Sequence, residues 1–172
     1  MIHLGSSNSS SSLSTFQPED VQPNAIDLRV DQIRRIDDNV FTISEDGKIH
    51  RGSAPIATEK DGYWRLEKGT YEIIMEGEVT IGPDEAGWVI TRSSLNRNGL
   101  FLTSGLYDSG YSGVMAGALH VHCGTARIKK GTRIGQFLLF KAESLNQYSG
   151  SYGSGSEHDK KYKEQGELFN GN

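Results

Sequence analysis

The chain has a single cysteine, Cys123, so no disulfide can close within it, and a reducing compartment is expected. It has no apolar run long enough to span a membrane or to form the centre of a signal peptide. A soluble, cytoplasmic protein is therefore expected, in the host cytoplasm if the source is viral. Basic excess is also missing: 18 lysines and arginines face 22 acids, for a formal net charge of -4. That balance argues against a broad nucleic-acid surface and leaves room for a small anionic ligand, which needs only a few local cations. Prolines number only 4, and no convincing amphipathic helix is found.

Glycine is plentiful, at 21 of 172 residues, which suggests many tight turns between short strands. Residues 1–15 carry serines at 6, 7, 9, 10, 11, 12 and 14 and little apolar surface, the composition of a flexible arm. In the segment 21–30, Ile26, Leu28 and Val30 alternate with Asp27 and Arg29, which predicts a strand with one polar face. Residues 31–37 are charged and read as a helical turn at most. Val40–Ser44 and Lys48–His50 flank Glu45-Asp46-Gly47, a hairpin signal. Further β-like runs follow at 63–66, 70–75, 78–81, 88–91, 100–102, 106–107, 114–121, 126–128 and 134–140. Between them, 92–99 suits a short helix or an irregular turn. Some ten short strands without a convincing amphipathic helix predict one all-β domain over 16–144, a distorted barrel or jelly-roll-like fold. The Gly/Ser/Tyr-rich and charged tail at 145–172 cannot build a core but can close over a ligand.

Three polar blocks carry the candidate chemistry. Arg92, Arg97 and Arg133, with the Ser93 and Ser94 hydroxyls, match the geometry of phosphate oxygens. Asp108 lies between glycines, three residues before Tyr111, where a carboxylate could act as a general base toward water. His120, His122 and Cys123 are potential metal ligands. A strand with one polar face explains them equally well, and no protein-built metal site is expected.

In this order the blocks resemble the dUTPase and dCTP deaminase superfamily. Gln22-Pro-Asn-Ala-Ile-Asp-Leu-Arg29 is similar to its first motif, Arg92-Ser-Ser-Leu-Asn-Arg97 to the second, Gly105-Leu-Tyr-Asp-Ser-Gly-Tyr-Ser-Gly113 to the third and Gly131-Thr-Arg-Ile-Gly-Gln136 to the fourth. The resemblance implies a homotrimer with sites between subunits. It also implies hydrolysis of dUTP to dUMP and pyrophosphate by an Asp108-activated water at the α-phosphorus, assisted by Mg2+ held mainly through the substrate's phosphates. Arg92, Ser93, Ser94, Gln136 and Arg97 would hold the triphosphate, and the backbone at Gly105 and Leu106 would read the base. Tyr111 would select the deoxy sugar, and Asp27 would support the metal shell or the geometry.

Gly150-Ser-Tyr-Gly-Ser154 resembles a fifth motif, with Tyr152 as a lid over the base from a neighbouring subunit, although Gln147 stands where the family has arginine. Lys160-Lys-Tyr-Lys-Glu-Gln165 is similar to the deaminase C-terminus, in which Lys161 and Gln165 would reach the nucleotide. The deaminase branch uses a glutamate ten positions after the aspartate, and here that residue is Ala118. Deamination of dCTP is therefore the disfavoured alternative, and a catalytically silent nucleotide-binding module is the other. The hairpin between Gly99 and Asp108 is shorter than the family's, which leaves the base open.

Overall fold

The structure is a computed structural model and describes residues 1–4 and 6–163. Along the chain the strands are β1 (Ser12–Leu13), β2 (Val21–Gln22), β3 (Ala25–Ile36), β4 (Thr42–Ser44), β5 (Gly47–Ile49), β6 (Ser53–Pro55) and β7 (Tyr63–Leu66). After these come β8 (Gly69–Thr80), β9 (Glu85–Thr91), β10 (Leu100–Thr103), β11 (Leu106–Tyr107), β12 (Ser112–Val121), β13 (Ala126–Lys129) and β14 (Arg133–Lys141). Among the described residues, helices are limited to a 3-10 turn (Pro18–Asp20), α1 (Ser93–Asn96) and α2 (Glu157–Lys163).

Ten strands make one sheet whose main path runs β10-β12-β8-β3-β14-β9-β11. The long strands β3 and β8 bend it. β3 pairs with β14 through Ile26–Arg29 and with β8 through Val30–Arg35, with a register shift between Val30 and Gln32. β8 passes through Gly77 at φ 79°, where a residue with a side chain would be strained. The sheet thereby curls until β10 approaches β9. There the Thr91 hydroxyl accepts from the Leu102 amide at 2.7 Å and donates to its carbonyl at 3.2 Å. Side-chain contacts, this one and that of Ser104 with the Val89 backbone, thus join β10 to β9 where a full ladder would close a regular barrel. Ile26, Leu28, Val30, Ile33, Ile73, Val79, Met115, Leu119, Ile134 and Phe137 fill the inside.

The all-β expectation holds, with local differences. Residues 31–36 continue β3 as strand rather than as a helical turn. Their charges misled because Arg34 is only 2 % exposed, held by Ser53 Oγ at 3.0 Å and facing Glu72 at 3.5 Å. The 70–75 and 78–81 runs form one strand, since the break at Gly77 is a bend within β8.

The serine-rich segment, expected as a flexible arm, lies against the sheet. Leu4 and Leu13 are buried, β1 pairs with β8, and the Ser9 hydroxyl and the Ser10 and Ser11 amides donate to buried Glu85 at 3.0–3.1 Å. Lys141 completes that cluster at 2.7 Å. Burial opposes the Glu85 charge, but Lys141 and the serine donors outweigh it and hold its pKa at about 2.

Candidate functional site

Two groups of predicted residues form, at separate places on the chain. The first is built on Asp27, which β3 carries to the point where β14 crosses it. Gln136, its cross-strand partner, donates from Nε2 to Asp27 Oδ1 at 3.0 Å. Asp27 Oδ2 is buried without a hydrogen bond, but Arg92 lies 3.4 Å from it and Arg133 3.7 Å. Arg92 ends β9 and caps α1, and its Nη1 also donates to the Arg133 carbonyl at 3.1 Å. Asp27 therefore orients two guanidiniums and an amide instead of forming a solvated polar edge. Ser93 and Ser94 of α1, and Arg97 just past its end, are exposed beside them. The cluster suits oxyanions: cations with partly free edges, hydroxyls, and a buried carboxylate that fixes their direction.

The second group surrounds a cavity of about 680 Å³. Gly105, Leu106, Tyr107 and Tyr111 of the third motif line it, together with Tyr152 and Lys161 of the tail. Tyr111 is 6 % exposed and donates its hydroxyl to the Val114 carbonyl at 2.7 Å, so only its ring is available to a ligand. That ring packs between Tyr107 at 5.2 Å and Tyr148 at 5.3 Å. Asp108, just past Tyr107, is exposed, and its carboxylate has no hydrogen bond among the described residues.

The groups do not meet on one chain. Tyr107 pairs with Gly87 near the start of β9, whereas Arg92 follows its far end, five residues on, or about 16 Å along a strand. Asp108, Arg92, Ser93, Ser94, Arg97 and Gln136 do not line the cavity. Gln165 lies outside the described residues.

Several pocket residues escaped the sequence reading. The β4–β5 hairpin turns Phe41, Lys48 and His50 toward the cavity, and His50 stacks edgewise on His158 of α2 at 4.8 Å. Lys48 lies over the Tyr152 ring at 5.5 Å. Burial first, then the His158 and Lys48 charges, lower the His50 pKa.

Glu72 on β8 lines the same cavity and accepts from Tyr162 Oη at 2.6 Å, from Lys161 Nζ at 3.0 Å and from Ser53 Oγ. Burial opposes its charge, but the donors outweigh burial and keep it below the usual carboxylate range. Only period-2 alternation in β8 hinted that this residue faces the site. Lys161, expected on the nucleotide, is thus engaged with Glu72. His120 sits between Thr70 at 3.2 Å and Thr103 at 3.1 Å, and no group of three His, Cys, Asp or Glu among the described residues is arranged to hold a metal.

The family model described as dCTP deaminase-like matches residues 5–142. The chain belongs to the dCTP deaminase-like family. It is 34% identical over 142 residues to a probable deoxyuridine 5'-triphosphate nucleotidohydrolase of Halobacterium salinarum, covering 78% of this chain and 83% of that protein. A relative of the same description from Methanopyrus kandleri is 31% identical over 134 residues, covering 77% and 86%.

Solved structures of the family share the fold. The 2'-deoxycytidine 5'-triphosphate deaminase of Agrobacterium tumefaciens superposes with a TM-score of 0.59 at 15% identity, over 75% of this chain and 42% of that one. A dUTPase from phage phi11 of S. aureus gives 0.51 at 12% identity, over 84% and 99%. Membership in the dCTP deaminase-like family agrees with the curled sheet, which the motifs alone could only imply.

Proposed function

We propose that this protein hydrolyses dUTP to dUMP and pyrophosphate. The observation that carries this reading is Asp108. It is an exposed carboxylate without a hydrogen bond among the described residues, next in sequence to Tyr107, which lines the cavity with the buried Tyr111 ring. An unengaged carboxylate is available to orient a water and take its proton as that water attacks the α-phosphorus. Tyr111, with its hydroxyl spent on Val114, offers the sugar a flat apolar face that a 2'-hydroxyl would lose solvation against. Gly105 and Leu106 present backbone to the base, and Tyr152 covers it. The relatives' descriptions as nucleotidohydrolases of deoxyuridine triphosphate support the same reading.

Arg92, Ser93, Ser94 and Gln136, with Arg97 beside them, take the triphosphate. Because Arg92 stands about 16 Å along β9 from Gly87, the partner of Tyr107 next to Asp108, the phosphate set that faces a given Asp108 comes from a neighbouring copy, in a homotrimer with sites between subunits.

The residues fit a Mg2+ brought in on phosphates rather than a protein cage. Asp27 is committed to Gln136 and two guanidiniums, while the Asp108 carboxylate has no partner among the described residues. The ion, when bound, neutralises charge on the phosphates.

A second reading, dCTP deamination, is favoured by the likeness to the Agrobacterium deaminase fold. Ala118 opposes it, as it has no proton to move. Glu72, across the strand pair from Ala118, already accepts from Tyr162, Lys161 and Ser53 and is a weak base. A panel of dUTP, dCTP, dTTP and UTP, scored for pyrophosphate and for ammonia, tests both. Pyrophosphate from dUTP alone is expected, and ammonia from dCTP would overturn the assignment.

A further inference from the structure

Arg29 and Arg133 are direct partners across the β3–β14 pair, so two guanidiniums share one face, an arrangement that repels unless a negative charge is set between them. The 3-10 turn at Pro18–Asp20 supplies it. Asp20, whose side chain is 1 % exposed, takes Arg29 as a fork, from Nη2 on Oδ1 at 2.7 Å and from Nε on Oδ2 at 3.0 Å. Arg29 also donates to the Gly131 carbonyl at 3.1 Å, and the Gln17 amide donates to Asp20 Oδ2 at 2.9 Å, so the turn is tied to β3 and to the approach to β14. Arg133 is gripped by the same turn. Its Nη1 donates to the Glu19 carbonyl at 2.9 Å, and its Nε lies 4.0 Å from Asp20 Oδ1. Burial opposes the Asp20 charge, but Arg29, the Gln17 amide and Arg133 outweigh burial and hold the carboxyl below its ordinary range.

On its other side Arg133 Nη1 is 3.7 Å from Asp27 Oδ2, and Arg92 reaches that same oxygen at 3.4 Å. The charges therefore alternate along Arg29, Asp20, Arg133, Asp27 and Arg92, three cations on two buried anions, which leaves one positive charge in surplus. Arg29 is spent on Asp20 and the Gly131 carbonyl, whereas Arg133 keeps its Nη2 without a hydrogen bond among the described residues. We propose that Asp20 is a positioning residue of the phosphate site, acting through Arg133, whose open edge takes a phosphate oxygen beside Arg92. This rests on the triphosphate reading of the Asp27 cluster, and adds to it a second aiming carboxylate that lies outside the four motifs. A turn that served only to cover β3 would need Arg29 alone, and Glu19 and Asp20 would have no reason to hold Arg133 as well.

Asp20→Asn removes the charge and keeps the shape of the turn. It should raise the KM for dUTP about fivefold, as loss of roughly one hydrogen bond predicts, with kcat nearly unchanged. Arg133→Gln should raise KM on the order of tenfold, through loss of a charge-assisted bond to phosphate. Adding Asp20→Asn to Arg133→Gln should raise KM no further, because Asp20 then has nothing to aim. A lower melting temperature with unchanged KM in Asp20→Asn, or KM effects that multiply in the double variant, would overturn the proposal and leave a purely structural turn.

Should Asp20→Asn not fold, hydrogen exchange in the wild-type protein decides. Saturation with tripolyphosphate should slow exchange of the Gln17 and Asp20 amides several-fold, since an oxyanion that fixes Arg133 also fixes the turn. Unchanged exchange would overturn the proposal. Tripolyphosphate also separates it from the dUTP reading. If the wild-type protein neither hydrolyses dUTP nor binds its imido analogue, that reading fails, while weaker tripolyphosphate binding in Asp20→Asn still supports Asp20's role and equal binding overturns it. A wild-type protein that binds no tripolyphosphate has no oxyanion site there, and the proposal falls with it.

Discussion

Glu72 stands directly opposite Ala118 across the β8–β12 pair, and its carboxylate is turned to the tail rather than left free. The position at which deaminases carry a glutamate is thus empty of a base, and the neighbouring carboxylate is occupied. Wild-type protein should release no ammonia from dCTP. Ala118→Glu should not restore deamination, because two carboxylates directly opposed on one face repel. A cost of about 1 kcal/mol, or roughly 2–4 °C in the melting temperature, is expected from that pair. Ammonia from either protein contradicts this.

Asp27→Asn keeps the shape but removes the charge between Arg92 and Arg133. Breaking a buried ion pair from one side costs about 3 kcal/mol, so the melting temperature should fall by roughly 6–12 °C. The KM for dUTP should rise with it, since the guanidiniums lose the carboxylate that aims them. A variant as stable as wild type, with unchanged KM, would show that Asp27 orients neither arginine.

The arm and Glu85 give a stability test against pH. Glu85's folded pKa of about 2 lies below its ordinary 4.5, so its contribution is complete above 4.5 and is lost as pH falls toward 2. Hydrogen exchange at Ser9–Ser14 should quicken over that window, and Glu85→Gln should quicken it at neutral pH through a loss of about 2 kcal/mol. Equal protection in Glu85→Gln would mean that the β1–β8 pairing alone holds the arm.

Much of the fold was legible because apolar alternation survives in β3, β12 and β14 whatever their partners. The candidate chemistry was legible because its motifs are contiguous. What escaped depends on contacts distant in sequence. The charges of residues 31–36 look like loop until Arg34 meets Ser53 and Glu72. The serine arm looks disordered until Glu85 collects its amides and hydroxyls. Glu72 itself has no motif, and only its register and the returning tail reveal it.

His50 faces Phe41 and Lys48 from the hairpin, Tyr152, His158 and Lys161 from the tail, and Glu72 from β8, with Asp159 beside His158. Its pKa is lowered from the ordinary 6.5, so the hairpin–tail contact favours the neutral ring, and acid favours separation. The KM for dUTP should rise as pH drops from about 7.5 to about 5.5, and His50→Asn should flatten that rise. An identical profile in both proteins would place the dependence elsewhere.

The central claim is that Asp108 activates the water that cleaves dUTP. Pyrophosphate release from dUTP with Mg2+ should be measured for wild type and Asp108→Asn under the same conditions, with binding of the imido analogue as the control for an intact pocket. The expected result is a kcat loss on the order of 10²–10⁴, the usual contribution of a general base, with analogue binding retained. Undiminished turnover in Asp108→Asn would contradict the account.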